Sequence, residues 1–199
     1  MKLLSKLKTN LDRNKLLFLT ILLLIGIITG TILFVTLNNN DYLLVKEELN
    51  NYFTNLKNIN LNKYIVGSLI SNMSLIVIIW LLGISVIGIP VVLFIYFFKS
   101  FEIGFTISSF IAVYNLKGII LALLFVIFQL IFFIGLIIVT IYSINLSSNI
   151  VSTILKKKVF DFKIILNRYL KVLVIATILT LIYALLDNYL LPIIFKLVI

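Results

Sequence analysis

The sequence predicts an all-α fold: a polytopic integral membrane bundle of about five transmembrane helices, amino end in the cytoplasm, with one extracytoplasmic amphipathic helix. Three observations predict it. The 199 residues are 62% hydrophobic and only 12% charged, where soluble domains carry about a quarter charged residues, so a water-soluble globule could not be coated. The apolar residues gather into uncharged runs, several of them long enough to cross a bilayer core, which takes about 20 residues. The 17 Lys and Arg outnumber the 7 Asp and Glu and sit at the ends of those runs, the positive-inside pattern of a multi-pass protein of the bacterial inner membrane.

The same composition excludes several function classes. There is no Cys and no His, which removes Cys- and His-based zinc sites, haem, iron–sulfur clusters, disulfides and His-dependent triads. No catalytic, cofactor-binding or metal-binding constellation is expected, and no cofactor is implied. The basic surplus does not point to nucleic acid, because no basic face with interleaved aromatics exists. The partners expected are the lipid bilayer and other membrane or envelope proteins.

Residues 1–199 read as a single membrane domain. Residues 1–15 form a basic cytoplasmic tail with Lys2, Lys6, Lys8, Arg13 and Lys15. Leu16 to Leu37, 22 residues without a charge, make a helix of about 33 Å, enough for one span. A cleaved signal peptide would have a shorter apolar region and a small-residue cleavage site; Asn38, Asn39 and Asn40 follow instead, so an uncleaved first span is expected. Gly26 and Gly30 form a GxxxG pair in it, a spacing that lets another helix approach closely. Packing inside the bundle and homo-oligomerisation both remain open uses for it.

Residues 38–68 are the extracytoplasmic loop. Val45, Leu49, Tyr52, Leu56 and Ile59 recur at spacings of four, three, four and three, the period of an amphipathic helix. Asn39 to Asp41 supply N-caps. This face either rests on the membrane or the bundle, or binds an extracytoplasmic partner.

Leu69 to Phe98, 30 uncharged residues, exceed one span, and Gly83, Gly88 and Pro90 fall near the middle. Pro90 removes a backbone donor and disfavours the helical state at Ile89, so a kink or broken helix is expected there. Small residues at a kink suit close helix packing; a break lining a wet cavity suits a transporter. Lys99 and Glu102 then place an interface between spans. Residues 103–116 form a short tilted span or a re-entrant segment; a span keeps the later basic cluster inside. One span over 119–141 continues into the cytoplasm, followed by the basic segment 156–171. The last span covers 172–191, with Asp187 near its outer end.

Ionisable or amide groups inside a membrane are functional candidates by default, which singles out Glu102, Gln129 and Asp187. Glu102 also fits an interfacial pair with Lys99, Asp187 fits hydration near the outer interface, and Gln129 fits a cross-helix hydrogen bond.

Over nearly its whole length the chain resembles the stage II sporulation protein M family. The resemblance is carried by the basic amino end, GIITG in the first span, WLLGISVIGIPVVLF at 80–94, KSFEIGFTISSFI at 99–111, the late basic segment and YLLPIIF near the carboxyl end. The chain departs from the family's pattern in its fourth span, where Phe128 and Gln129 stand in place of a proline beside a polar residue. The resemblance implies a non-catalytic membrane scaffold that anchors cell-wall hydrolases for septal peptidoglycan degradation and forespore engulfment during sporulation. The residues by themselves leave a second expectation, a small membrane transporter, channel or permease subunit.

Overall fold

The computed structural model describes residues 13–58, 61–156 and 162–198. Among them every regular element is an α-helix. Helix α1 is Arg13–Val35, α2 is Asn39–Asn58, α3 is Leu61–Leu82, α4 is Gly88–Lys156 and α5 is Phe162–Val198. Three stretches are long and apolar enough to cross a membrane, Arg13–Val35, Gly88–Leu155 and Ile165–Asp187, and Val66–Leu82 is a shorter apolar stretch.

Helix α4 runs for 69 residues, which would extend about 100 Å if straight. It is not straight. Asn115 has φ 52° and ψ −125°, close to the first central residue of a type II′ turn, and the chain reverses there. Phe110 packs on Phe125 with ring centroids 5.8 Å apart, and Tyr96 on Phe133 at 5.9 Å. The two limbs, 88–114 (α4a) and 116–156 (α4b), therefore form an antiparallel hairpin. Gly118 closes it, because a Cβ there would collide with the Phe110 carbonyl oxygen.

Helix α1 lies parallel to α4a. At Gly26 a Cβ would come within 2.6 Å of the Ser100 Cβ; at Gly30 it would strike the Phe101 carbonyl, and at Gly104 the Ile27 carbonyl. The GxxxG pair is thus covered inside the chain by α4a, backbone against backbone. Helix α5 runs antiparallel to α4b, with Gln129 against Tyr183 and Ser143 against Tyr169.

The bundle is inverted relative to a soluble protein. Its outer surface carries large apolar side chains such as Leu24, Ile28, Phe94, Leu130, Val174 and Ile178, while Asn72, Ser100, Ser109, Gln129, Thr140, Ser143, Ser147 and Thr180 are buried. Lipid is as apolar as Leu, so helices in it associate through small residues and interhelical hydrogen bonds. The long apolar helices and this inversion mark a membrane protein.

Several expected boundaries shift. The run 69–98 is broken rather than kinked, the second of the two expected forms, and its halves belong to separate helices. Helix α3 ends at Leu82, the chain turns through 83–87, and Pro90 sits in the first turn of α4, where a missing N–H costs nothing. Residues 103–116 are not a separate span but mostly the end of α4a. Lys99 and Glu102 stand midway along that limb. The 119–141 span extends through α4b to Lys156, and the 172–191 span is part of the longer α5. The N-cap of α2 is Asn38, whose Oδ1 accepts from the Asp41 amide at 2.8 Å, one residue before the expected cluster.

Candidate functional site

In an apolar bundle a polar side chain is costly unless partnered. The mid-bundle groups solve this by converging. Lys99 Nζ donates to Glu102 Oε2 at 2.8 Å, an i,i+3 pair on one face of α4a. Asp187 of α5 lies within electrostatic reach of Lys99 and accepts a hydrogen bond from the Tyr183 hydroxyl. Gln129 Nε2 of α4b donates to that same hydroxyl at 3.0 Å. Two hydrogen-bonded groups, Gln129–Tyr183–Asp187 and Lys99–Glu102, thus face each other from three helical segments, with the Lys99 charge felt at Asp187. The Lys99 ammonium also lies 5.8 Å from the Phe132 ring centroid, a cation–π distance.

These groups form part of the wall of a cavity of about 1110 Å³. The rest of the wall comes from Ser68, Ser71 and Asn72 of α3, from Thr106 and Ser109 of α4a, and from apolar Phe105, Phe110 and Phe125. Helix α2 contributes Leu44, Val45, Glu48, Leu49 and Tyr52. It is held at the Asn115 end of the bundle: the Tyr42 hydroxyl donates to the Ala112 carbonyl at 3.3 Å, and the Tyr114 hydroxyl to Asn50 Oδ1 at 3.0 Å. Leu49 packs against the core.

Two sets of residues singled out separately in the sequence therefore meet at one place. Glu102, Gln129 and Asp187 line the cavity together with Val45, Leu49 and Tyr52. Leu56 lies within α2 but outside the described side chains, and Ile59 lies outside the described residues. The glycines and Pro90 are elsewhere, Gly26 and Gly30 at the α1–α4a seam and Gly83, Gly88 and Pro90 at the turn.

That turn is a second polar knot, at the opposite end from Asn115. A helix end leaves its last four carbonyls unpaired, and inside a bundle each must find a donor. All four are met. The Ile79 carbonyl accepts from the Gly83 amide at 3.2 Å and from Ser143 Oγ at 3.1 Å. The Trp80 carbonyl accepts from the Tyr169 hydroxyl at 2.6 Å. Those of Leu81 and Leu82 accept from the Ile84 and Ser85 amides at 3.1 and 2.9 Å. Beyond the helix, the Ser85 carbonyl takes Ser147 Oγ at 2.7 Å. Trp80 stacks on Tyr169 with centroids 5.2 Å apart, and its Nε1 donates to the Tyr169 carbonyl at 3.2 Å. Gly83 is required because a Cβ would meet the Tyr169 hydroxyl and Ser143.

Sequence reasoning did not assign roles to Lys99 as the cation felt at Asp187, or to Glu48, Tyr183, Ser143, Ser147 or Tyr169. Lys99 and Glu102 carried a signal, an i,i+3 opposite pair inside a stretch otherwise free of charge from 64 to 116. The hydroxyl residues carried none, since their partners are distant in sequence.

Comparison with curated proteins and with solved structures found no match. Comparison with family models found one, described as Stage II sporulation protein M, which matches residues 19–192.

Proposed function

Since the chain belongs to the stage II sporulation protein M family, we propose that it is a non-catalytic scaffold, crossing the bacterial inner membrane five times and anchoring cell-wall hydrolases for septal peptidoglycan degradation and engulfment. The family match, spanning all five helices, is the observation that carries this reading. Helices α1, α3, α4a, α4b and α5 are the five crossings. The amino end and the 83–87 turn then face the cytoplasm, and α2 and the Asn115 turn face outward. Charge supports this orientation. Along the chain, eleven of the 17 Lys and Arg lie before or early in α1 or between the end of α4 and early α5. Five (Lys46, Lys57, Lys63, Lys117 and Lys196) fall on the outward connections or terminus, and Lys99 lies between. That asymmetry is the positive-inside rule.

Helix α2 is the outward surface available to a hydrolase or its anchor. Val45 and Leu49 turn toward the bundle, whereas Leu43 is 57% exposed and shares the outer side with exposed Glu47. Affinity capture from detergent-solubilised membranes of septating cells tests the reading. A peptidoglycan hydrolase should co-purify, and the pair Leu43→Asp with Glu47→Lys should abolish capture. Recovery of no wall-degrading enzyme contradicts it.

The cavity favours one second reading, a small transporter or permease subunit, because ionisable groups at membrane depth mark substrate paths. Solute flux in proteoliposomes that Glu102→Gln abolishes would replace the scaffold reading with this one.

A further inference from the structure

A second, smaller cavity of about 260 Å³ lies among α1, α4b and α5. It sits at the end of the bundle opposite Asn115. Lys15 stands in the first turn of α1, and Arg168 and Tyr169 in the first two turns of α5. The Tyr169 hydroxyl reaches the Trp80 carbonyl beside the 83–87 turn. The polar wall is rich in donors. Lys15 and Arg168 share it with Tyr142, Asn145, Ser148 and Asn149, and among the described residues no Asp or Glu lines it.

The two bases come from opposite ends of the sequence. Lys15 closes the first basic cluster, and Arg168 belongs to the second, where 156–171 holds six Lys and Arg against Asp161 alone. Folding brings one member of each cluster to one cleft. Gathering like charges beside apolar walls is opposed by Coulomb repulsion, which an anion in the cleft would offset. The hydrogen bonding points the same way. The Lys15 ammonium donates to Asn145 Oδ1, so Asn145 has only its Nδ2 hydrogens left to offer, both donors. Arg168 is exposed and has no carboxylate partner among the described residues.

The donor set decides which anion fits. A guanidinium pairs with phosphate oxygens two at a time, and an ammonium and an amide on other helices can take the remaining oxygens of a tetrahedral group. A planar carboxylate has only two oxygens for donors on three helices. The end of a membrane bundle is also the depth at which headgroup phosphates gather, and basic clefts between membrane helices bind such headgroups. We infer that this cleft binds a phosphate group, held by Arg168, Lys15 and the Asn145 amide. The phosphate can come from the headgroup of an anionic phospholipid or from a small free phosphate. The inference depends neither on the scaffold role nor on which end of the bundle is cytoplasmic, since a headgroup layer borders both.

The full-length protein in an uncharged maltoside detergent is titrated by calorimetry with dihexanoyl-phosphatidylglycerol. Dihexanoyl-phosphatidylcholine, which matches its chains without the net charge, and inorganic phosphate at constant ionic strength are titrated separately. Inorganic phosphate binding at least as tightly as phosphatidylglycerol assigns the site to a free phosphate. Failing that, phosphatidylglycerol binding at least about tenfold tighter than phosphatidylcholine assigns it to a headgroup. Both outcomes support a phosphate site. Absence of both in the wild-type protein, a result that needs no variant to fold, overturns the inference. For whichever ligand binds, Arg168→Gln and Lys15→Gln should each weaken it about tenfold, the loss of one charged hydrogen-bond donor. Lys46→Gln, which removes the same charge from an exposed site on α2, should change nothing. Undiminished binding in Arg168→Gln, or an equal loss in Lys46→Gln, also overturns the inference.

Discussion

The Tyr169 hydroxyl joins three helices through one oxygen: it donates to the Trp80 carbonyl of α3 and contacts Ser143 of α4b while standing on α5. Tyr169→Phe keeps the ring stacked on Trp80 but strips the carbonyl of its donor. A buried unsatisfied acceptor costs about 1–3 kcal/mol, and interhelical hydrogen bonds in membranes fall at the low end of that range. The expected loss is about 1–2 kcal/mol in unfolding of the detergent-solubilised protein. Ser143→Ala should cost less, because the Ile79 carbonyl keeps its bond from the Gly83 amide. At this scale the sequence is only partly readable. Gly83 could be singled out as a small residue at a break. The donors that make the break affordable could not, because Ser143, Ser147 and Tyr169 lie 62 to 89 residues from the groups they serve and resemble any other polar residue on an apolar helix.

Element boundaries follow the same division. Helical period is a local property, so the amphipathic α2 and the first span are visible in the sequence, as is the GxxxG pair. What the pair packs on is not visible, because Gly104, which meets Thr31 of α1, lies 73 residues further along the chain. Gly104→Leu should wedge α1 from α4a. With no native Cys, Phe34→Cys with Phe105→Cys, at positions whose rings touch at 5.3 Å between centroids, gives a clean reporter for a short bifunctional maleimide cross-linker. Cross-linking should be efficient in the otherwise unaltered chain and lost when Gly104→Leu is added. Pro90 marks the break in the sequence but not its form, for a physical reason. Proline disrupts a helix interior but is tolerated in its first turn, and only the carbonyl partners at 79–85 decide which applies. Asn115 is the converse, a sharp reversal with no proline or glycine to announce it. Its positive φ is strained for a branched side chain, so Asn115→Val should cost about 1–2 kcal/mol by thermal unfolding, while Asn115→Gly should be tolerated.

For the whole molecule, the two turns set the topology. If 83–87 and 115 were not reversals, Lys99 and Glu102 would lie at an interface, as their charge alone suggests. With both reversals in place they lie midway along α4a, facing Asp187 and Gln129, and an unexceptional ion pair becomes the centre of a polar cavity roofed by α2. The fold class was legible from composition and run lengths; the cavity was not, because it exists only once five segments are assembled. The most direct measurement is single-cysteine labelling in intact cells with a membrane-impermeant maleimide, at the well-exposed positions Leu116 and Ile87, which are 79% and 72% accessible. The account predicts that Leu116→Cys labels from outside and that Ile87→Cys labels only after the cells are permeabilised. Labelling of Ile87→Cys in intact cells, or no labelling of it in either state, would contradict the account.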